Sequence, residues 1–244
     1  MAELHEGPHA TVLERVTLRG DDGVTVEAIH ARPEGVPVAG IALHPDIGGI
    51  RPLFDDLCRR LATHGFAVCA PEPFARAPAG VREASDLSVR MAAVGQFDDD
   101  LQLGDLDAAA DYLVVHDDVA RVAVMGFCMG GMQALKAAAR DRFDRAVVFY
   151  GMIVPPEPMQ GPKMRRPLDT ASEVVPTLAI LGGVDPLIPP ADVDALRAAW
   201  AERPDCEIVV YPDADHGFLH DPSRPTHRAD DAADAWERVL RFLA

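Results

Sequence analysis

One turn constrains this chain more than any other feature. Residues 119–125 (VARVAVM) form an apolar run of buried-strand length, and residues 132–140 (MQALKAAAR) are strong helix formers. Between them stands Gly126-Phe127-Cys128-Met129-Gly130-Gly131. A strand that becomes a helix across so few residues forces the apex residue into strained backbone. Glycines two positions either side let strand and helix approach each other. The pattern is a nucleophile elbow with cysteine at the apex, where most such turns carry serine. The following helix would aim its free N–H groups and the positive end of its dipole at the sulfur.

The rest of the chain keeps the same rhythm. Strand patterns at 12–18 and 24–32 flank Asp21-Asp22-Gly23, a hairpin signal. Further strands are expected at 38–43, 66–70, 145–150, 174–181 and 207–211, and helices at 52–64, 85–94, 98–116, 191–201 and 228–243. This alternation predicts an α/β fold: a mostly parallel central sheet, helices on both faces and an N-terminal antiparallel hairpin at the edge. The expected organisation is a tail over 1–11 and a single domain over 12–244. Residues 151–173 break the rhythm with Pro155, Pro156, Pro158, Pro162 and Pro167. Such a long irregular connection is expected to lie over a functional site at the carboxyl edge of the sheet.

A net charge of −16 over 244 residues argues against nucleic acid, which needs a basic footprint. The runs Asp98-Asp99-Asp100 and Asp230-Asp231 read as solvated helix starts. No stretch approaches the roughly 18 apolar residues of a membrane span. Residues 1–10 lack the basic start and apolar core of a secretory signal. Cys58, Cys69 and Cys206 read as small buried hydrophobes, and four cysteines without a C-x-x-C pair suit a reducing cytoplasm.

A cysteine elbow needs a base, and the base needs an orienter. Asp185 follows the expected strand ending at Leu181, and His216 follows the one ending at Tyr211. Nucleophile, acid and histidine thus fall in the chain order of α/β-hydrolase triads, each just past a strand. The reading is Cys128 as nucleophile, His216 as base and then acid, and Asp185 as the group fixing the imidazole tautomer. Asp213, Asp215, His216 and His220 could alternatively form a metal cluster, but Gly217 opposes a helix presenting both histidines. The oxyanion donors are expected to be the backbone N–H groups of Met129 and of Ile47, in the loop after strand 38–43.

These motifs resemble the dienelactone hydrolase family of α/β-hydrolases. The carriers are His44-Pro45-Asp46-Ile47-Gly48-Gly49, the segment 70–76 (APEPFAR), Phe97-Asp98 with Gly104-Asp105-Leu106, the elbow, Tyr150-Gly151, residues 183–186 and His216-Gly217-Phe218. The resemblance implies hydrolysis of a small ester or lactone through a thioester, with no metal or organic cofactor. It also implies a carboxylate that modulates the resting thiol, a role falling on Asp46, where the family has glutamate. The family's dienelactone-cleaving members grip the substrate carboxylate with two arginines. The matching positions here are His220 and the vicinity of Leu87, with Arg82, Arg90 and Arg224 out of register. Lys163, Arg165 and Arg166 of the proline-rich segment are candidate replacements for the clamp, and Phe218 is a further candidate substrate contact. The alternatives are a dehalogenase-like hydrolase on the same fold, or a redox-sensing thiol at Cys128.

Overall fold

The computed structural model describes residues 4–244. Met1, Ala2 and Glu3 of the expected tail lie outside the described residues. Eight strands form one sheet in the order β1-β2-β4-β3-β5-β6-β7-β8. They are β1 (Thr11–Arg19), β2 (Thr25–Pro33), β3 (Ala39–His44), β4 (Phe66–Pro71), β5 (Val122–Phe127), β6 (Ala146–Phe149), β7 (Thr177–Gly182) and β8 (Cys206–Tyr211). The hairpin β1–β2 is antiparallel and joins β4 antiparallel, while every pair from β4 to β8 is parallel. Gly23, at φ 80°, closes the hairpin. Every residue of β3, β4, β5 and β7 is buried. This is why these strands read as continuous apolar runs: in a parallel sheet both faces are covered.

The helices are α1 (Pro52–Thr63), α2 (Ala79–Arg82), α3 (Leu87–Val94), α4 (Asp99–Asp117), α5 (Met129–Ala137), α6 (Pro190–Ala199) and α7 (Ala229–Leu243). Right-handed crossovers put α1 on one face and α4, α5 and α6 on the other. The Trp236 ring of α7 lies 6.2 Å from His64, just past α1, on the first face. The N-terminal segment runs along these two helices: Gly7 N–H donates to Thr63 Oγ1 at 2.8 Å and Trp236 Nε1 donates to the His5 carbonyl at 3.2 Å.

One element was not anticipated, and one local reading is corrected. Four-residue α2 was not anticipated, because residues 79–82 are too few to show a period. The run Asp98-Asp99-Asp100 is not uniformly solvated. Asp98 caps α4 by accepting from Asp100 N–H at 3.1 Å, and Asp100 is exposed. Asp99 is fully buried and bound to Lys136 Nζ of α5 at 2.8 Å. The proline-rich segment contains two 3₁₀ turns, at Glu157–Met159 and Pro167–Glu173.

Candidate active site

The register aligns the strand ends. His44 of β3 sits opposite Gly126 of β5, Phe127 opposite Phe149 of β6, and Gly182 of β7 opposite Tyr211 of β8. The segments leaving β3, β5, β6, β7 and β8 therefore emerge along one carboxyl edge, where open α/β sheets bind ligands. They carry Ile47, Cys128, Tyr150, Asp185 and His216, in that order.

Cys128 adopts φ 57° and ψ −119°. That is the left-handed half of backbone space, which non-glycine residues enter only when their surroundings enforce it. The enforcement is visible. Cys128 N–H donates to the Phe149 carbonyl at 3.0 Å, and the Cys128 carbonyl accepts from Met132 N–H at 3.0 Å as α5 begins. A Cβ on Gly126 would strike the Gly130 carbonyl, and one on Gly130 would strike the carbonyls of His44 and Pro45. The glycines thus let β5, α5 and the loop after β3 touch backbone to backbone.

His216 Nδ1 lies 2.7 Å from Asp185 Oδ2. Asp185 is fixed in turn by Leu187 N–H, which donates to its Oδ1 at 2.8 Å. Both side chains are almost entirely buried. The buried His216 Nε2 has no hydrogen-bond partner, which leaves it free to take a proton, and the charge of the Cys128 side chain acts on the imidazole. Burial opposes a charge on His216. The Cys128 charge, with the hydrogen bond to Asp185 and the charge of that carboxylate, outweighs burial and raises the imidazole from 6.5 to about 10. A sulfur, an imidazole and a carboxylate in this series can form a nucleophile, move its proton and keep one tautomer.

Ile47 is buried in the loop that abuts Gly130, and Met129 opens α5, where first-turn N–H groups lack intrahelical acceptors. Two carboxylates fix this loop, Asp46 buried and Glu72 half-buried. Glu72 accepts from Ile50 N–H at 2.8 Å and from Phe74 N–H at 3.0 Å. Asp46 accepts from Gly48 N–H at 2.7 Å.

Asp46, expected to modulate the resting thiol, has further partners that the sequence reading did not name. Arg51 donates to both of its oxygens, at 2.6 and 2.9 Å, and His220 Nε2 meets Oδ2 at 2.8 Å. Burial pulls the Asp46 carboxyl up, but the hydrogen bonds from His220 and Arg51 win and hold it well below the usual carboxylate range. Both oxygens are hydrogen-bonded, to a guanidinium and an imidazole.

The other substrate-side expectations also shift. Phe218 is fully buried, with its ring 5.8 Å from Tyr150 and 5.2 Å from Tyr211, so it packs the core beneath the site. Lys163 and Arg165 pair with Asp98 and Asp100 at the start of α4, and Arg166 lies 3.7 Å from Asp169. These cations fasten the proline-rich segment to α4 and to itself, a commitment that competes with gripping a substrate. Lys163 also borders a cavity of about 540 Å³ lined by Pro73, Phe97, Leu101 and Gln102. Asp215 accepts from His216 N–H at 2.6 Å and Asp213 lies 3.9 Å from Arg228. Among the described residues no group of three or more His, Cys, Asp or Glu side chains could hold a metal ion. Cys58 and Cys69 are buried, which pushes their thiols up and away from reactivity.

The sequence reading assigned no site role to Arg51, Glu72 or Tyr150. Arg51 and Glu72 carry no local signal. Tyr150 carries one, since it directly follows β6 and precedes a glycine in the same position relative to its strand as the elbow does.

Comparison with known proteins adds to this geometry. The family model described as "Dienelactone hydrolase family" matches residues 26–244. An Escherichia coli O157:H7 protein named "Putative carboxymethylenebutenolidase" is 33% identical over 243 residues, covering 97% of this chain and 88% of that protein. The "Carboxymethylenebutenolidase" of Pseudomonas putida is 28% identical over 237 residues, covering 95% of this chain and 96% of that one. A crystal structure titled "Putative Dienelactone Hydrolase" from Klebsiella pneumoniae superposes with a TM-score of 0.85 at 30% identity, covering 96% of this chain and 98% of that one. No helix among the described residues is long and apolar enough to cross a membrane.

Proposed function

Because this chain belongs to the dienelactone hydrolase family, we propose that it hydrolyses a small ester or lactone through a thioester on Cys128. The observation that carries this reading is a cysteine at a strained elbow, φ 57°, on the same carboxyl edge of the sheet as an imidazole that Asp185 holds at 2.7 Å. The family match favours hydrolysis over a redox-sensing thiol, and it suits a small-molecule ester or lactone as partner.

The steps follow from the residues. His216 holds the proton drawn from the thiol, and Asp185 keeps Nδ1–H in place. The sulfur attacks the carbonyl carbon, and the electron pair of the C=O bond moves to oxygen. Backbone N–H groups of Ile47 and Met129 receive that oxyanion; each such donor is typically worth roughly 100- to 1,000-fold in rate. Collapse breaks the bond to the alkoxide oxygen, which takes the proton from His216 Nε2. For a lactone the freed alcohol stays on the acyl chain. His216 then removes a proton from water, hydroxide attacks the thioester, and collapse returns the sulfur and releases the acid. No metal or organic cofactor enters these steps.

The test is a panel of small esters and lactones given to the parent protein, Cys128→Ala and Cys128→Ser. The expected result is turnover by the parent that drops by roughly 1,000-fold or more in Cys128→Ala. Cys128→Ser should retain a residue of activity, since the elbow, base and oxyanion donors persist. Equal turnover by parent and alanine variant would overturn the reading.

A further inference from the structure

His220 bridges two buried groups that the proposed acyl transfer does not itself use. Its Nε2 meets Asp46 Oδ2 at 2.8 Å, and its Nδ1 is hydrogen-bonded to the Tyr150 hydroxyl. All three side chains are essentially sealed from solvent. Their protonation states follow from one another. Asp46 is ionised between Arg51 and His220, so it only accepts. Burial, reinforced by the positive charge of Arg51 and Arg224, keeps His220 neutral despite Asp46. Burial, with the Asp46 and Cys128 charges, keeps the Tyr150 phenol protonated. Nε2 of His220 therefore carries the ring proton and donates it to Asp46, leaving Nδ1 to accept the Tyr150 O–H.

The bridge joins three of the segments that meet at the carboxyl edge. Asp46 lies beside Ile47 and accepts from Gly48 N–H, so it sets the loop of one oxyanion donor. Tyr150 follows β6, has φ 37°, and places its ring edge-on 5.3 Å from His216. His220 shares a short segment with His216. Its ring also lies 5.2 Å from Phe127, the residue before the nucleophile, and 5.5 Å from the Tyr150 ring in a stacked arrangement. Losing the imidazole would leave a buried hydroxyl without an acceptor and a buried carboxylate short of one donor, both costly.

We propose that His220 is a positioning residue: by bridging Asp46 and Tyr150 it locks the oxyanion loop and the His216 segment into the mutual geometry that acyl transfer from Cys128 requires. This rests on the acyl-transfer reading above. His220 touches neither substrate nor sulfur in this role; it acts through Ile47 and His216. Misplacing such groups by an ångström can cost roughly 100-fold in rate.

The experiment compares His220→Leu, which fills the volume without either hydrogen bond, with His220→Gln, which keeps one donor and one acceptor. The leucine variant should lose roughly 10- to 100-fold in kcat while KM stays within about threefold, and glutamine should regain most of the loss. Imidazole ¹⁵N spectra of the parent should show His220 with Nε2 protonated and Nδ1 a bare acceptor. The inference is overturned if the leucine variant keeps its kcat, if both variants lose equally, or if Nδ1 carries the proton. Should the leucine variant not fold, the parent's nitrogen spectrum still decides the bridge. Should the parent turn over no ester or lactone, the acyl-transfer reading fails by itself, and the same spectrum tests the bridge independently.

Discussion

At the scale of single residues, His216 sits in a tension between burial, which opposes its charge, and two partners that favour it. The partners win, so the imidazolium persists from below 6.5 up to about 10. The stability its charge contributes is fully present below 6.5 and is lost as pH rises through about 10. Activity that needs the sulfur and imidazolium as a pair should therefore fall on the alkaline side only as pH nears 10. Asp185→Asn removes a hydrogen bond and a charge that both raise His216. A pH profile of kcat/KM should then show the alkaline fall moved to lower pH, along with a lower plateau. An alkaline limb that does not move would show that Asp185 does not govern the imidazole. The placing of Cys128, Asp185 and His216 at one sheet edge was legible in sequence because each follows a strand closely, and such ends converge in a parallel sheet. The pairing of Asp46 with His220 was not legible: the two lie 174 positions apart, and no local pattern announces so distant a meeting.

At the scale of elements, the elbow helix α5 is tied to α4 and to the proline-rich segment by one buried cluster. Lys136 Nζ donates to both oxygens of Asp99, at 2.8 and 3.0 Å, and to Met164 Sδ at 2.9 Å. Asp99 also accepts from Gln133 Nε2 at 3.1 Å and from Arg165 N–H at 2.6 Å. Burial lowers the Lys136 ammonium from 10.5 to about 8 against the pull of Asp99. Lys136→Met would strand the carboxylate, and urea denaturation should show a loss of about 3–5 kcal/mol. Pairing it with Asp99→Leu should recover much of that loss, because well-packed apolar residues often replace a buried ion pair at little cost. A single variant as stable as the parent would mean the pair is not what fastens these elements. The acidic triplet at 98–100 shows where sequence reading stops. It announces a helix start through capping and dipole, but which carboxylate is roofed depends on the chain that crosses above, here residues 163–165.

At the scale of the whole molecule, the alternation of strand and helix was enough to give the sheet, its parallel direction and its antiparallel edge. The burial of the central strands β3 to β7 on both faces is written into their composition. The site was legible only as far as the sheet edge determines it. Five segments reach that edge in register, and the family match over residues 26–244 spans all of them. Finer features, such as the bridge through His220, arise from contacts between segments that the strand order brings together. The central claim concerns one covalent bond, and intact-protein mass spectrometry during turnover of a slow activated ester tests it most directly. The expected result is a mass gain of a single acyl group, located on Cys128 by peptide mapping and lost on hydroxylamine treatment, as a thioester requires. Turnover with no adduct even under rapid acid quench, or an adduct on any other side chain, would contradict it.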